Sequence, residues 1–205
     1  AMQEYHVTVG RTTYPLKQPF FVLATQNPIE QEGTYRLPEA QQDRFMFFVD
    51  VSYPELDEEL EVMKRTTGNR HVELEHALEA EEIQEIQNLV RTIPIADHLI
   101  KYAVDIVRCS RTDRGAEGND HIPDFIRQFQ QWGAGPRAAQ YLILGAKARA
   151  FMQGHTHVAQ EDIDAVAHPV LRHRIIVNFA AEAEGVSSRD VVNMILQHVS
   201  PRPGR

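Results

Sequence analysis

The amino-acid sequence predicts an α/β region that contains a β-hairpin, followed by an all-α domain. Three observations support this fold class. Up to about residue 52, short apolar runs are either alternating or continuous, as they are in strands. Beyond Pro54, apolar residues recur at intervals of three and four, as they do on amphipathic helices. The composition, 42% hydrophobic and 24% charged, is that of an ordinary globular protein.

The first region is predicted to contain a hairpin, two further strands and one short helix. Alternating residues from Tyr5 to Leu16 surround a Gly-Arg turn and predict the hairpin. The continuous apolar runs Phe20 to Thr25 and Arg44 to Val51 predict buried strands, because strands of a parallel sheet are covered on both faces. A helix is predicted to start at Pro38, since proline is tolerated in the first helical turn.

These strands are too few to complete a sheet that is covered on both faces. The chain also does not begin with methionine. We therefore expect the 205 residues to be the C-terminal portion of a longer protein, with the first strands of the sheet upstream.

The second region is predicted to be a series of helices. Gly68 ends the first of them, and Asp97 is predicted to cap the third. A short β-like run, Ile175 to Phe179, precedes the last helix. The predicted helical segments span residues 55–68, 79–93, 98–112, 123–133, 136–154, 159–175 and 187–199.

Bulk properties argue against several classes of protein. No apolar run approaches the roughly 20 residues that span a bilayer, and the first residues lack the features of a signal peptide. A single cysteine, Cys109, cannot form an internal disulfide, which fits the reducing cytoplasm; it is predicted to be packed, as are Trp132 and Tyr141. The net charge of −8 argues against a nucleic-acid partner, which would need a basic face.

Three residues could take part in phosphate chemistry, although each also has a simpler interpretation. Asn27 follows a predicted strand, where an amide could orient a hydrolytic water, but Asn-Pro is also a common start of a turn. Arg44 has the planar fork that matches phosphate, yet it could simply pair with Asp43. Arg137 lies in the first turn of a helix, against the helix dipole, where it could bind an anion or face solvent.

Metal binding is not predicted. His155 and His157 are separated by one residue, but no third ligand stands at a supporting spacing.

Three quoted segments together resemble the MoxR family of AAA+ ATPases. They are "ATQNPIEQEGTYRLPEAQQDRF", "WGAGPRAAQYLILGAKARAF" and "LRHRI", and the resemblance covers nearly the whole chain. It implies that residues 1–52 are the C-terminal part of a P-loop AAA+ core, including the hairpin inserted before sensor 1. Residues 53–205 would be the helical lid domain that carries sensor 2.

The resemblance also implies a role for each candidate residue. Asn27 would be the sensor 1 residue, Arg44 the arginine finger and Arg137 the sensor 2 arginine. Two positions depart from the family pattern: Arg36 replaces a usual proline and Gln42 a usual apolar residue. A larger departure is that the sequence contains neither a G-x-x-x-x-G-K-[ST] phosphate loop nor a strand ending in an acidic pair.

The implied function is ATP-driven, chaperone-like remodelling or maturation of partner proteins. ATP and Mg²⁺ would bind to the full-length protein, which would form a hexameric ring of identical subunits. This chain alone would bind neither tightly and would not hydrolyse ATP. Proteins with von Willebrand factor A domains are the partners that the family implies. The alternative is a non-enzymatic helical module that binds other proteins. A DNA-remodelling relative would share the ATPase chemistry, but the acidic charge balance weighs against it.

Overall fold

The computed structural model describes residues 4–26, 37–68, 75–111 and 122–199. The hairpin, the short helix and the later series of helices occur in the predicted order. In chain order they are β1 (His6–Val9), β2 (Thr12–Pro15), α1 (Glu39–Gln42), α2 (Leu56–Thr66), α3 (Ala80–Thr92), α4 (Asp97–Cys109), α5 (Asp124–Phe129), β3 (Gln130–Trp132), α6 (Pro136–Met152), α7 (Gln160–Leu171), β4 (Ile176–Val177), α8 (Phe179–Glu184) and α9 (Ser188–Val199).

The predicted hairpin is confirmed. Strands β1 and β2 pair antiparallel, with Thr8 opposite Thr13, and the two threonine hydroxyls lie 3.1 Å apart. The turn places Gly10 at a φ of 63°, a conformation that glycine adopts without steric cost. Short helix α1 follows the prediction closely, since Pro38 is its N-cap and Glu39 its first residue.

The two predicted interior strands are wrong. Neither Phe20–Thr25 nor Arg44–Val51 forms a strand, and no strand in the described ranges pairs with them. The first run is open to solvent, with Phe21 79% and Leu23 82% exposed. A strand requires a neighbouring backbone as well as apolar side chains, and an apolar pattern cannot say whether the neighbour is a strand or a helix.

The hydrophobic core lies entirely within the helical part. Every buried residue of the described chain falls between Leu99 and Ile195. Helix α6 packs against α3, α4 and α7, and α9 packs against α4, α5 and α7. Fully buried side chains such as Leu142 in α6 and Ile163 in α7 each contribute about 1.5–3 kcal/mol of transfer free energy. The helical domain is therefore organised around α6.

Most of the predicted helices are confirmed, with local differences at their ends. Ala96, rather than Asp97, is the N-cap of α4, and Asp97 stands in the first turn, where its charge still favours the helix dipole. Helix α5 ends earlier than predicted because β3 follows it and pairs antiparallel with β4. Trp132 in β3 is 67% exposed, so its predicted packing is wrong.

Helix α8 has no counterpart among the sequence predictions. The side chain of Asn178 accepts a hydrogen bond from the Ala181 N–H at 3.0 Å and caps the helix. Gly185, at a φ of 71°, ends it in the left-handed conformation. Across the described ranges, no helix is long and apolar enough to cross a bilayer.

Candidate functional site

The carboxylate of Asp43 joins two distant arginines from the helical domain. Asp43 is the last residue of the α1 turn. Its Oδ2 accepts a hydrogen bond from Nη1 of Arg137, in the first turn of α6, and its Oδ1 accepts one from Nε of Arg174 at 2.9 Å. Charge-assisted pairs of this kind are the stronger hydrogen bonds of proteins. One acidic side chain thus ties the α1 segment to both arginines.

Arg174, which follows α7, is among the most buried charged residues of the described chain, with 5% of its surface exposed. Its Nη2 donates to the carbonyls of Asp43, at 2.8 Å, and of Phe45. Its Nη1 donates to the carbonyl of Val170 and, at 3.4 Å, to that of Met46. Burial lowers the pKa of the guanidinium, and the hydrogen bond to Asp43 opposes that effect. The buried charge is therefore compensated by several acceptors at once.

The backbone around Arg44 is held by side chains of the helical domain. The hydroxyl of Tyr141, in α6, donates to the Arg44 carbonyl at 3.1 Å. His173 Nε2 lies 3.2 Å from the Phe45 carbonyl. Burial, reinforced by the charge of Arg174, lowers the pKa of His173 to about 4. The imidazole is therefore neutral at pH 7 and donates from Nε2 to that carbonyl.

The Arg44 side chain itself takes no part in these contacts. It is exposed and makes no hydrogen bond or ion pair with another residue in the described ranges. The local pairing with Asp43 that the sequence allowed is not formed, since the carboxylate is directed to Arg137 and Arg174. An exposed cation on a fixed backbone is suited to binding an anion on another molecule.

Residues after Phe45 continue along the same surface. The Phe48 N–H donates to the Pro169 carbonyl of α7 at 2.8 Å. The Arg172 guanidinium lies 4.7 Å from the centre of the Phe48 ring and 3.1 Å from the Asp50 carboxylate. The run that the sequence predicted as a strand is therefore a segment without strand structure that is docked on helices through Phe48 and Asp50, while Val49 and Val51 stay 73% and 88% exposed.

The structure describes two of the three candidate residues and places Arg137 against Asp43, the residue that precedes Arg44. Arg44 and Arg137 are linked through Asp43, whereas Asn27 lies outside the described residues. The exposed, unpaired Arg137 that the sequence also allowed is not observed, because its guanidinium contacts Asp43. Gln42, one of the departures from the family pattern, donates to the Leu37 carbonyl at 2.7 Å within the same turn.

Arg174 was not among the candidates from sequence. The only signal was the basic run "LRHRI", residues 171–175, in which nothing distinguishes one arginine from the next. Arg174 stands out in the structure because its hydrogen-bond partners lie far away in the sequence, as Asp43 does at a separation of 131 residues. A pattern read along the chain does not reveal contacts over that distance.

Metal ligands are not clustered in the described ranges, where no group of three or more histidine, cysteine or acidic side chains could hold an ion. His155, one of the two histidines considered from sequence, lies 3.6 Å from the buried carboxylate of Asp162. Arg149 and the Ala159 N–H donate to the same carboxylate, so this cluster caps the start of α7.

Two family models match the chain. The first, described as ATPase family associated with various cellular activities (AAA), matches residues 1–47. The second, an AAA lid domain, matches residues 126–195. Asp43 and Arg44 thus fall in the first matched part, and Arg137 and Arg174 fall in the second. The boundary expected at residue 52 stays a prediction.

Several known sequences are similar over most of the chain. Chaperone MoxR1 of Mycobacterium tuberculosis is 36% identical over 97% of this chain and 51% of its own length. YeaC of Bacillus subtilis, a protein of uncharacterised function, is 35% identical over 97% of this chain and 58% of its own length. Protein MoxR of Paracoccus denitrificans is 28% identical over 78% of this chain. The chain spans about half the length of these relatives.

A solved structure shares the fold. It is a crystal structure from Cytophaga hutchinsonii with a provisional ATPase assignment, 44% identical in sequence with a TM-score of 0.85. The match covers 96% of this chain and 58% of that one. The predicted fold class, part of an AAA+ core followed by a helical lid, is thereby confirmed.

Proposed function

Because this chain belongs to the MoxR family of AAA+ ATPases, we propose that it supplies the sensor and lid half of an enzyme that couples ATP hydrolysis to chaperone-like remodelling of partner proteins. The observation that carries the proposal is the Asp43 junction, where the Arg44 segment and Arg137 meet. An arrangement that senses phosphate on one subunit and acts on another needs such a mechanical link between its two arginines.

Each candidate residue has a distinct role in the proposal. Asn27 orients the attacking water beside the γ-phosphate. Arg44 reaches into the site of the neighbouring subunit and offsets negative charge in the transition state. Arg137 binds phosphate in its own subunit and couples the position of the lid to nucleotide occupancy.

The described residues are better suited to binding the phosphates of ATP than to binding Mg²⁺. Arg44 is an exposed cation, and Arg137 retains 30% exposure of its side chain beside Asp43, so both can approach an anion. Mg²⁺, which would neutralise charge on the phosphates when bound, needs carboxylate ligands that the sequence does not offer in the family's pattern. This chain therefore contributes the cationic part of the site, and we expect the 205 residues alone not to hydrolyse ATP.

The assembly and partners are inferred from the family. An arginine that acts on a neighbour requires an oligomer, and we propose a hexameric ring of identical subunits in the cytoplasm. One relative carries the name chaperone, which supports a remodelling role. Proteins with von Willebrand factor A domains are the partners to test first.

Steady-state turnover of the full-length protein tests the roles directly. Arg44→Ala is expected to lower kcat for ATP by about a thousandfold or more, the range seen when an arginine finger is lost. Asn27→Ala should lower kcat as well. Arg65→Ala is the matched control, because this arginine of α2 forms an exposed pair with Glu61 and should leave turnover unchanged.

Normal turnover in both Arg44→Ala and Asn27→Ala would contradict the assignment. Calorimetry with ATP distinguishes the alternative, since a helical module that only binds proteins would take up no nucleotide even at full length.

A further inference from the structure

We propose that Arg174 is the positioning residue of the arginine finger: it fixes the backbone on both sides of Arg44 and so sets the direction in which that side chain projects. The inference rests on the proposed role of Arg44 in the neighbouring subunit's site. Arg174 itself touches no nucleotide in this account.

The contacts of Arg174 bracket Arg44 in the sequence. A single nitrogen, Nη2, donates to the carbonyls of Asp43 and Phe45, the residues immediately before and after Arg44. Nε holds the Asp43 side chain at the same time. The carbonyl of Arg44 itself accepts from Tyr141. Three successive carbonyls are therefore held by two side chains of the helical domain.

The two side chains act as one unit. The Arg174 guanidinium lies 5.2 Å from the centre of the Tyr141 ring, within the range of a cation–π contact. The ring supports the guanidinium, while its hydroxyl reaches the carbonyl that Arg174 does not contact. Arg44 is thus left with a fixed backbone and an exposed side chain, the combination that a residue acting on a second subunit requires.

Lysine could not replace Arg174 in this role. Guanidinium presents five N–H donors in a rigid plane, and the observed acceptors lie in several directions around it. An ammonium group keeps the charge opposite Asp43 but has three donors on a flexible stem. Arg174→Lys therefore preserves the electrostatic partner and removes the alignment of the backbone.

A double-mutant experiment on the full-length protein tests this inference. Arg174→Lys alone is expected to lower kcat for ATP by about ten- to a hundredfold, because misplacing a catalytic group by about 1 Å has a cost of this size. KM for ATP should change by less than about twofold, since the interaction lost belongs to the transition state. In an Arg44→Ala background the same substitution should have no further effect, because the residue that it positions is absent.

Tyr141→Phe is a smaller change that tests the same inference even if the Arg174→Lys protein does not fold. It removes one hydroxyl and keeps the ring beside Arg174. The expected loss of kcat is about two- to fivefold, the value of one hydrogen bond, and again it should vanish in the Arg44→Ala background. The control is Tyr14→Phe, a 55% exposed tyrosine in β2, which should leave kcat unchanged.

Three results would count against the inference. Arg174→Lys or Tyr141→Phe could lower kcat by the same factor with and without Arg44, which would make the residue part of the general structure. Either could leave kcat unchanged in the otherwise native protein. Finally, Arg44→Ala alone could have no effect on turnover, in which case the proposed function fails first and this inference fails with it.

Discussion

The helical domain and the segment that precedes it are held by different kinds of interaction. No described residue before Leu99 is buried, whereas the helices from α4 to α9 enclose a continuous apolar core. Residues 37–50 instead bind to the surface of that domain. The Asp43 carboxylate and backbone carbonyls accept hydrogen bonds from it, and the Phe48 ring packs against it. The docked segment is therefore stabilised by a few directional contacts. The helical domain is stabilised by the packing and burial of its apolar side chains.

This contrast has a functional meaning. The packed core provides a rigid frame, and the polar contacts of Asp43, Tyr141 and Arg174 fix the segment that carries Arg44 against that frame. The residue proposed to act on a second subunit, Arg44, lies in the docked segment. The residues that hold its backbone, Tyr141 and Arg174, belong to the helical domain.

The largest expected effect is on the core. Leu142→Ala in α6, where the native side chain is fully buried, should lower the free energy of unfolding of the chain by about 2–5 kcal/mol, because the substitution leaves a cavity. Leu23→Ala, at a position that is 82% exposed, is the control and should change it by less than about 0.5 kcal/mol. Denaturant unfolding followed by circular dichroism measures both. Equal losses would mean that the first region shares the core.

A smaller effect is expected at the junction. Asp43→Asn keeps the shape of the side chain but leaves Arg174 without its counter-charge, and we expect a loss of about 1–2 kcal/mol. Amide hydrogen exchange should rise in peptides covering residues 43–50 and stay unchanged in α6. Asp50→Asn is the control. It removes an ion pair with Arg172 in which the Asp50 side chain is 69% exposed, so the loss of stability should be smaller. Faster exchange throughout α6 would show that the junction also supports the core.

A third effect concerns pH. His173 is neutral in the folded chain, with its pKa lowered to about 4 by burial and by the nearby Arg174 charge, against an ordinary value of 6.5. Between these pH values the unfolded chain binds more protons than the folded one, so the free energy of unfolding falls as pH drops from 6.5 to about 4.

His173→Gln should make that decline shallower, since glutamine can donate to the Phe45 carbonyl but does not titrate. His157→Gln, at an exposed position, should leave the slope as it is. Unfolding measured at several pH values distinguishes the two variants. An unchanged slope in His173→Gln would rule out this histidine as the source.

Much of the helical domain could be predicted from the sequence, and the reasons are local. The apolar spacing of α3 and the glutamates at its start, where the Glu82 carboxylate accepts a hydrogen bond from the Glu79 N–H, define that helix within the segment itself. Pro136 at the first position of α6 does the same. Helix α8 was missed because its six residues carry too short a pattern.

The docked segment shows what local patterns cannot supply. Phe47 and Phe48 have the hydrophobicity of a buried strand, yet their neighbours are helices: Phe47 lies against Gly145 of α6, where an added Cβ would come within 3.2 Å of the ring. Of the candidate site, Arg44 and Arg137 could be proposed from motifs. The link between them could not, because it depends on Asp43 and Arg174 meeting across the fold.

Turnover by mixed oligomers of the full-length protein tests the central claim most directly. Arg44→Ala subunits are mixed with subunits that cannot bind nucleotide but keep Arg44, each being inactive alone. If Arg44 acts on the neighbouring subunit, mixed rings contain sites with both an intact nucleotide pocket and an intact arginine, and ATP hydrolysis should return in proportion to such pairs. Mixtures that stay as inactive as their separate components, despite verified exchange of subunits, would contradict the account.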